Sequence, residues 1–154
     1  MAAPVLEKFE EMILEVEFDP DGSPGTYTSI CGMIDVTINR TLNVDEDEVP
    51  SDCDDESLPL AVNVEGRSLV VTVSGTGKWA RQNQSKMKEW IYSARKLNAR
   101  LRDAAAAPGD MAVESGPALL TALNNSRTKG QAVSAEIEIR FAGRPVLAAA
   151  EPNP

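Results

Sequence analysis

Residues 64–97, VEGRSLVVTVSGTGKWARQNQSKMKEWIYSARKL, change their hydrophobic period half-way along. Up to Ser74 the period is two: Leu69, Val71 and Val73 alternate with Ser68, Thr72 and Ser74, as in a strand with one buried face. Gly75-Thr76-Gly77 ends that run. Beyond it Trp79, Met87, Trp90, Ile91, Ala94 and Leu97 fall at helical spacings, with Gln82, Gln84, Lys86, Lys88, Glu89, Arg95 and Lys96 filling the other positions. The spacing predicts one amphipathic helix of about 16 residues, ~24 Å long, that turns Trp79, Met87, Trp90, Ile91 and Ala94 toward the core.

Outward from this segment the period is two almost everywhere. Met12, Leu14, Val16 and Phe18 mark a first strand, stopped by the turn chemistry of Asp19-Pro20-Asp21-Gly22-Ser23-Pro24-Gly25. A second is expected over Tyr27–Gly32 and a third over Met33–Leu42, with Ile34, Val36 and Ile38 entering the core and Asp35, Thr37 and Asn39 on the wet face. Residues 97–103 read as a strand or as continuation of the helix. Gly116–Asn125 and Ala132–Ala142 read as the last two strands, antiparallel across the polar turn Arg127-Thr128-Lys129-Gly130. In the final strand Val133, Ala135, Ile137 and Ile139 oppose Ser134, Glu136, Glu138 and Arg140. Residues 43–63 show no period and read as a long acidic loop. The fold class is therefore mainly β: an antiparallel β-sandwich or open barrel of about seven strands with one flanking α-helix. We expect a single domain over 11–146 that includes the loop 43–63, an N-terminal arm over 1–10, and a flexible C-terminal tail over 147–154. Such sheets leave edges, which invite other copies of the chain.

A chain of 154 residues with 42% apolar content is one domain's worth and needs no disulfide or metal staple. Histidine is absent, which excludes His-dependent triads and His-ligated metal sites. The net charge of −9 is uneven: Asp45, Glu46, Asp47, Glu48, Asp52, Asp54, Asp55 and Glu56 lie in one stretch without a base, and elsewhere 16 acids face 15 bases. Without a basic stripe the chain is a poor candidate for gripping nucleic acid, although it could guide it by repulsion. Cys31 and Cys53 read as reduced cytosolic thiols. The start, MAAPVLEKFEEMILEVEF, has neither the basic nor the long apolar region of a secretory signal, and no apolar run approaches the ~18 residues of a membrane span. A soluble protein made in a cytoplasm is expected.

The motif tests are mostly negative. A calcium loop begun at Asp45 would reach Glu56 as its twelfth residue, but Val49 and Pro50 occupy the fifth and sixth positions, where an oxygen ligand and glycine are needed. Ser74-Gly-Thr-Gly-Lys78 follows a strand and precedes a helix, yet lacks the spacing of a phosphate loop, and Trp79 stands where Ser or Thr should. Two cysteines cannot complete a structural zinc site. No spacing sets a base beside a nucleophile. We expect no enzyme activity, no catalytic residue, no metal and no cofactor.

The order of features carries a resemblance. Alternating strands run into Glu48-Val49-Pro50-Ser51-Asp52-Cys53-Asp54-Asp55; VEGRSLVVTVSGTG leads into a Trp-bearing helix; Gly116-Pro117-Ala118-Leu119-Leu120-Thr121 precedes the Gly130 turn and the strand Val133–Phe141. Over most of residues 11–146 the chain resembles the major tail tube proteins of long-tailed bacteriophages and gene transfer agents. The resemblance implies a virion structural protein whose hexameric rings self-assemble into a hollow tube for DNA delivery, located in the virion tail after synthesis in the host bacterial cytoplasm. Its partners would be itself, the tail tip or baseplate, the tail terminator and the tape measure protein in the lumen. DNA would pass without specific binding, and no membrane is involved. Under that reading Asp45, Glu46, Asp47, Glu48, Pro50, Asp52, Asp54, Asp55 and Glu56 form an inter-subunit or inter-ring loop. Asp35, Thr37 and Asn39 face the lumen; Glu136 and Glu138 face either the lumen or the outside. The alternative from a different class is a monomeric β-sandwich binding module that uses the acidic loop for calcium or a glycan.

Overall fold

Alternation is strictest over Ser134–Phe141, where Ala135, Ile137, Ile139 and Phe141 are buried and Glu136, Glu138 and Arg140 are exposed. The computed structural model describes residues 3–149, and this strand lies in the middle of its one sheet. After a 3-10 turn, Phe9–Glu11, the elements are β1 (Met12–Val16), β2 (Thr28–Ser29), β3 (Met33–Val49), β4 (Ala61–Lys78), α1 (Arg81–Ser93), β5 (Leu97–Asp103), β6 (Met111–Ser126), β7 (Ser134–Phe141) and β8 (Val146–Ala149). Every strand pair is antiparallel, in the order β2-β1-β5-β6-β7-β4-β3, with β8 added to β6. The mainly β class with one helix is as the periodicity predicts.

The sheet is bent on itself, because its two ends share one core: Leu14 and Val16 of β1 belong to the same buried cluster as Val71 and Val73 of β4. The strand that makes this possible is β6. Its first part pairs with β5, its second with β7, and Ala118 pairs with both Leu97 and Phe141. Gly116 and Pro117 sit at this changeover, where a missing amide donor is tolerated. The helix packs one side on the same core. Met87 and Trp90 are buried and Ile91 packs half-buried against the core, as does Trp79, which lies before the helix N-cap Ala80 and not on the helix as its spacing predicts, and Phe18 meets Trp90 edge-on with centroids 6.2 Å apart. Indole Nε1 of Trp90 donates to the Arg95 carbonyl at 2.8 Å, so the ring is anchored by its polar end as well.

Four further expectations are corrected. Ala94 is not on the buried stripe: it is the exposed helix C-cap at φ 54°, because the chain must reverse there to start β5 at Leu97. Ile34 is not in the core either. A register shift between Met33 and Asp35 leaves Ile34 59% exposed and turns Met33 inward in its place. The long loop 43–63 is about half strand, since the β3–β4 ladder continues to Val49 opposite Ala61, leaving residues 50–60 as the loop. Finally, Val146–Ala149 pairs with Met111–Ser115 as an eighth strand; the rest of the expected tail, 150–154, lies outside the described residues.

Candidate assembly surfaces: a polar face, free edges and an acidic arm

Cross-strand partners share a face of a sheet, so the ladders define the outer surface of β3, β4, β7 and β6 row by row. Asp35, Thr76, Glu136 and Asn124 form one row; Thr37, Ser74, Glu138 and Ala122 the next; Asn39, Thr72, Arg140 and Leu119 the third. The structure thus brings Asp35, Thr37, Asn39, Glu136 and Glu138 together on one face, four strands and ~14 Å wide between the outer strands. Three carboxylates and one guanidinium sit among small hydroxyl and amide side chains. The outer face of β1 and β5 differs, being covered by the segment 19–27. There Glu15 pairs with Arg100 at 3.2 Å and with Arg102, Arg100 lies 4.1 Å from the Tyr27 ring centroid, and Glu17 accepts the Gly25 amide at 2.8 Å. On the polar face, by contrast, Asp35, Thr37, Asn39, Glu136, Glu138 and Arg140 are all exposed.

That face ends in two unpaired edges. β3 pairs with β4 on one side and, among the described residues, with no strand on the other. In β6, residue 118 has β5 on one side and β7 on the other, so on the β5 side residues 119–126 have no strand partner among the described residues. The edge at β2 is closed by a side chain instead. Asn83 of α1, buried, accepts the Cys31 amide through Oδ1 at 2.8 Å and donates from Nδ2 to the Ser29 carbonyl at 3.3 Å, the pattern a residue in an added parallel strand would make. No sequence signal marked Asn83, because a polar residue on a helix reads as solvent-facing. Replacing it by Ala leaves both backbone groups unpaired and should cost about 1–3 kcal/mol. Amide exchange at Cys31 and thermal unfolding check this; unchanged protection of that amide would show that Asn83 does not close the edge.

Past Arg40 the β3–β4 hairpin leaves the body as a two-stranded arm in which residues 40–68 are all exposed. Arg40 grips Glu114 of β6 with Nη2–Oε1 at 2.5 Å and Nε–Oε2 at 3.0 Å, an exposed forked pair at the base of the arm. This contact raises the Arg40 pKa further above its ordinary value. One face of the arm continues the core face and carries Leu42 (51% exposed), Val44 (43%), Val62 (61%) and Val64 (54%) together with Glu46 and Glu48. The other carries Asn43, Asp45 and Asp47 opposite Ser68, Glu65 and Asn63. A two-stranded ribbon with an uncovered apolar face is marginal alone in water.

The tip, 50–60, is held by its own hydrogen bonds. Ser51 Oγ donates to the Pro59 carbonyl at 2.9 Å, and Asp52 Oδ1 accepts the Asp54 amide at 2.9 Å. The Ser57 hydroxyl, then its amide, hold the Asp55 carboxyl below the usual carboxylate range. Asp45–Glu48 therefore stand on strands, and Pro50, Asp52, Asp54, Asp55 and Glu56 on the tip. Among the described residues no three His, Cys, Asp or Glu side chains gather closely enough to hold a metal ion. Cys31 and Cys53 are free and exposed, and no described helix is long and apolar enough to cross a membrane.

A small β domain with a polar sheet face, open edges and a projecting arm fits the class of structural subunits. The family comparison agrees with that class: residues 7–147 match the model of the phage tail tube protein family, and the chain belongs to it, with a structural role in a tail tube. No curated protein sequence matches it significantly. Its fold is similar to solved structures at low identity. A chain of the tail of an empty gene transfer agent particle, refined with C6 symmetry, is 11% identical with a TM-score of 0.75, over 94% of this chain and all of that one. A chain of the native gene transfer agent virion is 13% identical with a TM-score of 0.68, over 94% and all. The tail tube of SPP1 is 11% identical with a TM-score of 0.66, over 93% of this chain and 80% of that one.

Proposed function

We propose that six copies of this chain close into a ring and that rings stack into the hollow tail tube of a phage or gene transfer agent, through which DNA leaves the particle. The observation that carries the reading is the four-stranded polar face with an unpaired edge at each end. If the β3 edge of one copy adds to β6 residues 119–126 of the next, the four strands repeat around a closed barrel, and closure removes the two edges at which the polar face of the single copy ends. The polar face bearing Asp35, Thr37, Asn39, Glu136 and Glu138 then lines the channel. Six-fold order is supported by the C6 symmetry of the similar gene transfer agent tail. The arm with Asp45, Glu46, Asp47, Glu48, Pro50, Asp52, Asp54, Asp55 and Glu56 lies across a neighbouring copy, where its apolar face is covered. Tail tip, terminator and tape measure proteins would meet the tube at its ends and in its lumen, and no catalytic chemistry is involved.

Size-exclusion chromatography with light scattering, followed by negative-stain microscopy of concentrated protein, tests this. Rings or uniform hollow tubes are expected. A chain that stays monomeric over the whole concentration range would refute the reading and favour a monomeric binding module.

A further inference from the structure

The two ends of the subunit carry opposite charge. At the end away from the arm, Lys78 closes β4 opposite Ser134, the turn 127–133 joins β6 to β7, and the Trp79 amide donates to the Val133 carbonyl at 2.8 Å, bringing the start of α1 to the same place. Lys78, Arg81, Arg127 and Lys129 are all exposed there, and among the described residues none of them makes an ion pair. The chain has no acid between Glu65 and Glu89 and none between Glu114 and Glu136. The nearest acids across the ladder, Asp35 and Glu136, sit in the first row of the polar face opposite Thr76. Along β4, ~30 Å separate Lys78 from Leu69, where the arm begins. The arm carries Asp45, Glu46, Asp47, Glu48, Asp52, Asp54, Asp55, Glu56 and Glu65 against the single base Arg67, which reaches Asp45 at 3.5 Å.

We propose that the acidic arm of one copy docks on the basic end of the copy stacked next to it, so that Lys78, Arg81, Arg127 and Lys129 are the receptor for the arm. This rests on the tube reading and specifies its stacking contact. Copies stacked with one polarity bring the arm of each to the basic end of the next. Copies stacked with reversed polarity bring acid to acid or base to base. The charges therefore dictate a polar tube, and stacking should be weakened by salt, since the screening length falls from ~8 Å at physiological ionic strength to ~3 Å at 1 M. Contacts between like charges cost several kcal/mol, enough to shift assembly about a hundredfold or more.

The test uses full-length chains. Changing Lys78, Arg81, Arg127 and Lys129 to Glu should raise the concentration needed for tube growth about a hundredfold, with circular dichroism confirming the fold. Changing Asp45, Asp47, Asp52, Asp54, Asp55 and Glu56 to Lys should do the same, and both sets in one chain should restore growth. Growth of either single-sided variant at the wild-type concentration, or no restoration in the folded double variant, would overturn the docking while leaving the tube reading intact. Wild-type protein that grows no tubes counts against the tube reading. Docking is then read from zero-length carbodiimide cross-linking of concentrated, mixed-isotope protein: Lys78 or Lys129 joined to an arm carboxylate of another chain supports it, and no such link refutes it.

Discussion

A chain in which Asp45–Glu65 is removed and Val44 is joined to Gly66 through Asn-Gly is expected to fold normally and to build no tube. Val44 and Gly66 are cross-strand partners, so a two-residue turn closes the shortened hairpin in its native register. None of the removed residues is buried, and none belongs to the core cluster or packs against it. Surface changes of this kind alter stability by about 0.5 kcal/mol or less. The shortened chain also sheds Val62 and Val64, apolar surface that water would otherwise meet, so its solubility should rise. Lost with them are all of the arm's acids and half of its apolar face. Thermal unfolding should therefore match that of the full chain within a few degrees, and electron microscopy should show rings or single subunits at every concentration. Tubes of normal length from the shortened chain would remove the arm from the stacking contact.

How much of this was legible in the residues depends on whether local period and tertiary role agree. Ser134–Phe141 reads correctly because it has one face in the core and one outside, and its apolar residues keep strict alternation, whereas Leu97–Asp103 alternates in the same way but follows a helical stripe that runs on to Leu97, so strand and helix both fit its residues. The arm misread for the opposite reason. Asp45-Glu46-Asp47-Glu48 carries no apolar alternation and poor strand propensity, yet backbone pairing with Ala61–Glu65 holds it extended, and a ladder of backbone groups leaves no trace in side-chain composition. Ile34 failed because one extra residue in a register shift reverses the parity of everything before it. Ala94 failed because a helical stripe says nothing about where the chain must turn. Asn83 and the Arg40–Glu114 pair were invisible, since each joins residues more than fifty apart in sequence. The polar face lies between these cases. Alternation placed Asp35, Thr37 and Asn39 on one outer face and Glu136 and Glu138 on another, and the continuous ladder through β4 makes the two faces one.

That union gives the second large effect. Asp35→Lys, Glu136→Lys and Glu138→Lys together, in particles that still assemble, are expected to cut DNA delivery about tenfold or more. In the proposed tube these three carboxylates recur in every copy of every ring, so the channel wall is a repeated weak repulsion with a range of ~8 Å at physiological ionic strength. One substitution per copy only balances the remaining carboxylates against Arg140 and leaves no net attraction. Three per copy invert the field, and a wall that displays lysines at each ring binds phosphates by releasing their counterions, the interaction that underlies non-specific binding at Kd values of roughly 10⁻⁴ to 10⁻⁶ M. DNA would then move against many such contacts at once. Two further observations separate this from damage to the tube. The corresponding Asn and Gln variants, which remove repulsion without adding attraction, should deliver nearly normally, and raising the salt concentration should recover much of the delivery lost in the lysine variant, because counterion release weakens steeply with salt. Delivery by well-formed lysine particles equal to that of the wild type would mean that this face looks away from the DNA, and the lining would have to be sought on a surface other than β3, β4, β7 and β6.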